Sequence, residues 1–396
     1  MRRTEEVKVL RDPIHGYIHV DSDTVWKAIN SREFQRLHRI RQLGGDYQVY
    51  HTAEHSRFAH SLGVYEIVRR MITEVESLSE ALSEKEKLEV MCAGLLHDLG
   101  HGPFSHSFEA VMEGSHEEMT CAIILDESTE INKALRSERA DLPSRVAAII
   151  RHEHPNPLLS EMISSQLDAD RMDYLLRDAY ETGTSYGTFD LERILRTMRV
   201  KDGHLCVKES GMHSVEDYIM ARYHMYWQVY LHPDARSFEI LLAKFFTRVK
   251  CLQENGVKTP ALDLLDLNGD YLDLDDYRVM TAAQLARHEE DGVLADLAER
   301  LLDRHLFAWI EQPDEATEQK VVDELAHQHL DPDYYFYAET SSSRTYMPYR
   351  EDHTPIRILC PDGELYRLSD LSNIVAALEK METRTKRRIY FPKGLI

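Results

Sequence analysis

The chain has 396 residues, with 47 Lys and Arg against 69 Asp and Glu, a formal charge of −22 with His neutral. A field of that sign repels nucleic-acid phosphates and anionic membranes, so a polyanionic ligand must enter a locally basic pocket or arrive with a metal ion. The length argues for two structural units, expected at 1–250 and 251–396; five scattered cysteines without CxxC spacing and the lack of an apolar run of about 18 residues argue for a reduced, cytoplasmic, non-membrane protein.

Residues 8–21 read as two strands turning at Pro13 to Gly16. From Ser22 the spacing of Val25, Ile29, Phe34, Leu37 and Ile40 is helical, until Leu43-Gly44-Gly45 breaks it. Helices are predicted at about 57–79, 84–99, 116–125, 142–152, 160–180, 189–198 and 214–247, with a strand pair at about 195–208. Composition shifts after Lys250. Asp266-Leu267-Asn268-Gly269-Asp270 has its glycine at the fourth position, where an EF-hand needs it at the sixth, and reads as an acidic turn between helices. Beyond about residue 318, Tyr334–Tyr337, Ile356–Leu359 and Arg388–Phe391 look like strands. The expected fold is mostly α, with a short N-terminal strand pair and a smaller α/β C-terminal region packing on the helical core.

The chemistry concentrates around His97-Asp98, which follow the apolar run Met91–Leu96 and precede Leu99-Gly100-His101-Gly102-Pro103-Phe104-Ser105-His106. An unpaired buried polar group costs about 2–7 kcal/mol and a charge costs more, so a shared cation is the economical explanation of the pair. His60, in Arg57-Phe58-Ala59-His60-Ser61-Leu62-Gly63, and Asp170, in Asp168-Ala169-Asp170-Arg171-Met172-Asp173-Tyr174, extend it to two His and two Asp. That N/O set, without thiolate, suits Mn, Fe, Ni, Co or Zn, and Mg is compatible.

Phosphoester hydrolysis also needs a proton donor and cations for the phosphate. If Ser105 onward is helical, His106 and Glu109 share a face, and a carboxylate on an imidazole fixes its tautomer and raises its basicity. His116 opens the next helix, and His101 lies in a glycine-flanked turn from which it could reach a phosphate. Arg57 precedes His60 by one turn and shares its face. With Arg171 and Arg222 it offers planar guanidinium forks to phosphate oxygens. Tyr174, Asp178, Tyr226, Tyr230 and His232 could form a sugar and base pocket.

The series His60, His97-Asp98, Asp170 resembles the HD-domain phosphohydrolase superfamily. Asp12-Pro13-Ile14-His15-Gly16, Phe34-Gln35-Arg36-Leu37, Arg41-Gln42-Leu43-Gly44-Gly45, Arg57 to Gly63 and Asp168 to Tyr174 narrow the likeness to the deoxynucleoside triphosphate triphosphohydrolases, over about residues 8–245. That group includes the animal sterile-alpha-motif/HD enzyme and shorter bacterial homologues, and the bacterial form is the nearer likeness. The resemblance implies an HD-domain helical core with His60, His97, Asp98 and Asp170 as metal ligands. It implies His106 and Glu109 as a catalytic pair with His116 beside them, and Arg57, His101, Arg171 and Arg222 as phosphate contacts. Gln42 and Leu43 correspond to residues that meet the sugar and exclude a 2′-hydroxyl, Tyr174 and Asp178 to the 3′-hydroxyl side, and Tyr230 and His232 to the base-side wall. The implied reaction is hydrolysis of a dNTP to deoxynucleoside and inorganic triphosphate. Family members form dimers and tetramers with effector sites between subunits, which implies a homo-oligomer and a dNTP or GTP activator. At the corresponding effector positions Lys8 and Val9 match, whereas Asn30 and His38 replace the Asp and Arg that read guanine in the animal enzyme.

Two other readings stay open. One is a different HD phosphohydrolase, acting on a nucleoside monophosphate, a cyclic nucleotide or an alarmone. The other is a metal-binding nucleotide sensor without turnover. Gln42-Leu43 and Tyr174-Asp178 argue against the first, since a monophosphatase has no need of the Arg57/Arg171 pair, and the full ligand set with His106 and Glu109 argues against the second.

Overall fold

The protein is described here from a computed structural model, covering residues 2–109, 111, 114–342, 355–380 and 385–396. It is mostly helical. The N-terminal hairpin pairs Arg3–Asp12 with Gly16–Ser22 antiparallel, with Val9 opposite His19. Its turn is built by Asp12, whose Oδ1 accepts the N–H groups of Ile14 at 2.8 Å and His15 at 2.9 Å.

Three helices frame the centre of the molecule. Arg57–Glu74 buries Leu62, Val64, Tyr65, Ile67, Val68, Met71 and Ile72, and packs against both Glu84–Leu96 and Ala169–Thr182. Glu84–Leu96 starts at a capping box in which Ser83 and Glu86 satisfy each other's exposed amides, and His116–Leu125 starts the same way at Ser115 and Glu118. Ala169–Thr182 is capped by Asp168 and ends at Gly183, whose φ of 71° is the left-handed conformation that a helix stop favours.

Three predicted helices are each two. The 57–79 segment divides at Val75 into Arg57–Glu74 and Glu76–Ala81. The 160–180 segment divides into Pro157–Ile163 and Ala169–Thr182, because Asp168 turns the chain by accepting the amides of Ser165 at 2.6 Å and Arg171 at 2.7 Å. The 214–247 segment divides into Met212–Met225 and Pro233–Glu254, joined by a wider turn at Tyr226–Tyr230. Pro233 lacks the amide needed to continue a helix and opens the next one instead. The helix Glu130–Glu138, capped by Thr129, was not anticipated by the periodicity.

The strand pair at 198–208 is a hairpin of Met198–Lys201 and His204–Lys208. It gains Arg357–Leu359 in parallel, Val207 facing Ile358, and then Leu365–Arg367. Ala308–Glu311, Thr385–Phe391 and Tyr337–Ser342 form a second C-terminal sheet. Tyr334 and Tyr335 belong to a helical turn, Pro332–Tyr335, and the strand begins only at Tyr337. Asp266 to Asp270 is a turn following the helix Pro260–Leu264, as its composition suggests.

The apolar interior forms two clusters. One surrounds the three framing helices, and the other gathers Phe238, Phe245 and Phe246 of Pro233–Glu254 with Phe104, Phe108 and the helices that follow. No described helix is long and apolar enough to cross a membrane.

Candidate functional site

His60 leaves the buried face of Arg57–Glu74, His97 and Asp98 follow the last turn of Glu84–Leu96, and Asp170 sits in the first turn of Ala169–Thr182. Gly63 permits this crossing. A Cβ there would lie 1.8 Å from Asp173 Oδ1, so any side chain would push the two helices apart. His60 Nε2 stands 3.0 Å from Asp170 Oδ1 and 3.7 Å from Asp98 Oδ2. His97 Nε2 stands 3.3 Å from Asp98 Oδ1 and 3.6 Å from Asp170 Oδ1.

The other nitrogen of each imidazole is committed. His97 Nδ1 donates to the Gly94 carbonyl at 3.0 Å, which leaves its Nε2 lone pair buried and without a hydrogen bond. His60 Nδ1 donates to Asp173 at 2.8 Å. His60, His97 and Asp170 bring one ligand atom each within 4.8 Å of one another, and Asp98, which also groups with His101 and His116, stands beside them, a donor set that fits a divalent cation. Burial disfavours charge on His60, but its bonds to Asp170 and Asp173 outweigh that and push its pKa up to about 10. Burial likewise opposes ionisation of Asp98 and Asp170, yet His97 and Arg57 hold the first carboxyl well below the usual range, and His60 and His97 the second. The site's negative charge thus draws protons onto its histidines as it would draw a cation.

Beside this quartet lies a second group. Arg57 donates to Asp98 at 2.5 Å and to Ser105 Oγ at 2.9 Å. His101 Nε2 is 3.4 Å from Asp98 Oδ1, and its ring stacks on His116 with centroids 3.9 Å apart. Burial first, and then the Arg57 charge, hold the His101 imidazole well below its usual pKa, so it is neutral. Glu109 Oε1 accepts from His116 Nδ1 at 2.7 Å and lies 3.8 Å from His101 Nδ1. His116 thus meets the carboxylate that the sequence pairs with His106. His106 opens the short helix His106–Glu109, and its side chain lies outside the described part of the structure.

A cleft of about 480 Å³ opens at Arg57 and is lined by Gln42, Leu43, Tyr174, Asp178 and Tyr230, all picked out in the sequence. Asp178 is shared, its Oδ1 facing His55 Nε2 at 2.7 Å and its Oδ2 accepting the Tyr230 hydroxyl at 2.8 Å. Gln42 Oε1 is buried without a hydrogen-bond partner. Asp46, Arg236 and Glu239 line the same cleft and were not singled out.

Other expected residues lie beside the cleft-lining Tyr174 and Tyr226 or have partners elsewhere. Arg171 is ion-paired with Asp168, Arg222 donates to Gln166 at 3.0 Å, and His232 caps Pro233–Glu254. Lys8 and Val9 pair with Val20 and His19, whereas Asn30 donates to the Trp26 carbonyl and His38 stacks on Phe58 at 3.6 Å.

The largest omission is Asp173, fully buried, which ties His60 to His15 at 2.7 Å and to Arg177 at 2.9 Å; Arg177 in turn reaches Asp12 at 2.9 Å. Its spacing from Asp170 and Arg177, three and four residues on one helix, was the available signal.

Residues 57–178 match the family model of the HD domain, and residues 189–331 match that of an HD associated region. An uncharacterized protein of Bacillus subtilis (strain 168), YwfO, is 46% identical over 100% of this chain and 94% of its own length. A protein of Dictyostelium discoideum named deoxynucleoside triphosphate triphosphohydrolase SAMHD1 homolog is 31% identical over 61% of this chain, which spans 49% of that protein. The crystal structure of a phosphohydrolase from Bacteroides thetaiotaomicron superposes with a TM-score of 0.86 at 28% identity, covering 98% of this chain and all of that one. By these matches and this fold, the chain belongs to the HD-domain phosphohydrolase family.

Proposed function

We propose that the protein hydrolyses deoxynucleoside triphosphates to deoxynucleoside and inorganic triphosphate. The observation that carries this reading is a shared residue, Arg57, which both lines the cleft and contacts the ligand quartet. The cleft lined by Gln42, Leu43, Tyr174, Asp178 and Tyr230 opens at Arg57, whose guanidinium contacts Asp98 of the ligand quartet. A nucleoside in the cleft would place its α-phosphate against that quartet. His60, His97, Asp98 and Asp170 would hold a divalent transition metal, which supplies Lewis acidity and a water that is nucleophilic near neutral pH.

The chain's own groups complete the reaction. Water oxygen bonds to the α-phosphorus, the bond from phosphorus to O5′ breaks, and O5′ takes a proton. His116, oriented by Glu109, is the donor, and neutral His101 stacked against it hydrogen-bonds the phosphate. Arg57 adds a fixed positive charge where negative charge builds up on phosphate oxygen. Leu43 presents an apolar wall where a ribose would carry its 2′-hydroxyl, which selects deoxyribose. An activating nucleotide between subunits of a homo-oligomer, with Lys8, Val9, Asn30 and His38 at that surface, belongs to the same reading and rests on family likeness.

Product analysis by anion-exchange chromatography tests it. Manganese-loaded protein is given each dNTP alone, each with a second dNTP or GTP, and ATP as control. Deoxynucleoside with intact triphosphate is the expected product. Orthophosphate, monophosphate products or equal use of ATP would assign the protein to another HD phosphohydrolase activity, and metal-loaded protein without turnover in any mixture would make it a sensor.

A further inference from the structure

The Gly100–Ser105 loop carries His101 between Asp98 and Glu109, and residues 271–276 of the HD-associated region grip it from outside. Tyr271 donates its hydroxyl to the Gly100 carbonyl at 2.7 Å. Arg36, wholly buried, donates from Nη1 to the His101 carbonyl and from Nε to the Leu274 carbonyl, both at 2.9 Å, and lies 5.2 Å from the Tyr271 ring. Asp276 accepts the amide of Phe104 at 2.8 Å and that of Arg41 at 3.0 Å.

The loop needs such support. Phe104 and Ser105 have φ of 52° and 49°, two successive non-glycine residues in the left-handed region, each of which costs about 1–3 kcal/mol unless its surroundings hold it. Gly100 is equally constrained, since a Cβ there would lie 2.3 Å from the His116 carbonyl. Burying a guanidinium and a carboxylate is itself unfavourable, and well-packed apolar groups would serve stability as well or better. Burial pushes the Asp276 carboxyl up to about 6, the direction in which an apolar surrounding opposes its charge. What these groups achieve that apolar ones cannot is to fix the backbone polar atoms on both sides of His101.

We propose that Tyr271, Arg36 and Asp276 are positioning residues, a strut by which the HD-associated region sets the place of the His101 imidazole against Asp98 and the Glu109–His116 pair. This rests on the phosphohydrolase reading above. The test uses the full chain carrying Tyr271→Phe, which keeps the ring over Arg36 and removes one hydroxyl, and Asp276→Asn as a second variant. In zinc-loaded protein with 13C-labelled histidines, the His101 resonance, assigned by its loss in His101→Ala, shifts, while those of His154 and His213 do not. With substrate, kcat falls at least about tenfold, since misplacing a reacting group by about 1 Å costs up to about a hundredfold. KM stays within about twofold, and metal content is unchanged. On a His101→Ala background, Tyr271→Phe adds nothing.

An unmoved His101 resonance, or an equal fall in kcat on both backgrounds, overturns the strut. A wild-type protein that hydrolyses no nucleotide overturns the functional reading instead, and the histidine resonances then decide the strut alone.

Discussion

Asp173 stands directly behind His60, its Oδ2 accepting the imidazole Nδ1 proton at 2.8 Å. The same carboxylate takes His15 at 2.7 Å and both arms of Arg177 at 2.9 Å. Burial opposes its ionisation, but Arg177 and the two histidines hold it well below the usual carboxylate range. The consequence is chemical as much as structural. With Nδ1 committed as a donor, His60 can present only Nε2 to a cation, and the N-terminal hairpin is tied to the same carboxylate through His15 and the Asp12–Arg177 bond.

Replacing Asp173 by Asn should therefore weaken metal binding without touching a ligand. Loss of such an orienting partner costs about 10–100-fold in affinity. It also leaves Arg177 buried with half its charge uncompensated, a defect of about 3–5 kcal/mol when a buried pair is broken. Isothermal titration with manganese and thermal melts check both. Unchanged affinity in a folded Asp173→Asn protein would remove Asp173 from the metal centre.

Metal uptake should release protons. His60 has a pKa of about 10 in the metal-free protein against an ordinary 6.5, so it is charged at pH 7–8 and must lose a proton to ligate. Titrations in two buffers of different ionisation enthalpy should report net proton release, and affinity should rise with pH up to about 10. The raised pKa also stabilises the metal-free fold. That stabilisation is present in full below pH 6.5 and is lost as pH rises through about 10, so the melting temperature of metal-free protein should fall across that interval while that of metal-loaded protein holds.

The four expected ligands were legible because each sits in a short word of strong local constraint: a His beside an Asp after an apolar turn, an Arg one turn before a His, an Asp one residue into a capped helix. What escaped depends on pairing at a distance. Asp173 looked like any polar residue of an amphipathic helix until His15 and Arg177 closed on it from 158 and 4 residues away. The contact of Glu109 with His116, seven residues on, crosses from one short helix to the next, and helical spacing gives no sign of it. The helix breaks at Asp168 and Pro233 are capping events, weaker signals than the apolar period running through them. The parallel contact of Val207 with Ile358 joins segments 151 residues apart, which no local pattern encodes.

His116→Ala should keep its metal and lose turnover by about 10²–10⁴, the contribution of a positioned acid or base. Glu109→Gln should fall less, because the amide oxygen still accepts the Nδ1 proton while the charge that raises imidazole basicity is gone. Steady-state rates beside metal analysis separate the two effects. Wild-type kcat in His116→Ala would hand the proton transfer to another group.

Leu43 should govern the choice of sugar. Its side chain is 9% exposed and lines the cleft beside Gln42, whose buried Oε1 awaits a donor. A 2′-hydroxyl pressed against leucine would lose its water and gain no partner, and an unpaired buried polar group costs about 1–3 kcal/mol, up to roughly a hundredfold in rate. Leu43→Ala opens room for a water to solvate that hydroxyl. The ratio of kcat/KM for dATP over ATP should then drop by about tenfold, mostly through gain on ATP, while the metal content stays constant. If the ratio held and both substrates slowed together, the leucine would be packing the cleft wall, and discrimination would have to come from Tyr174 and Asp178 on the opposite side.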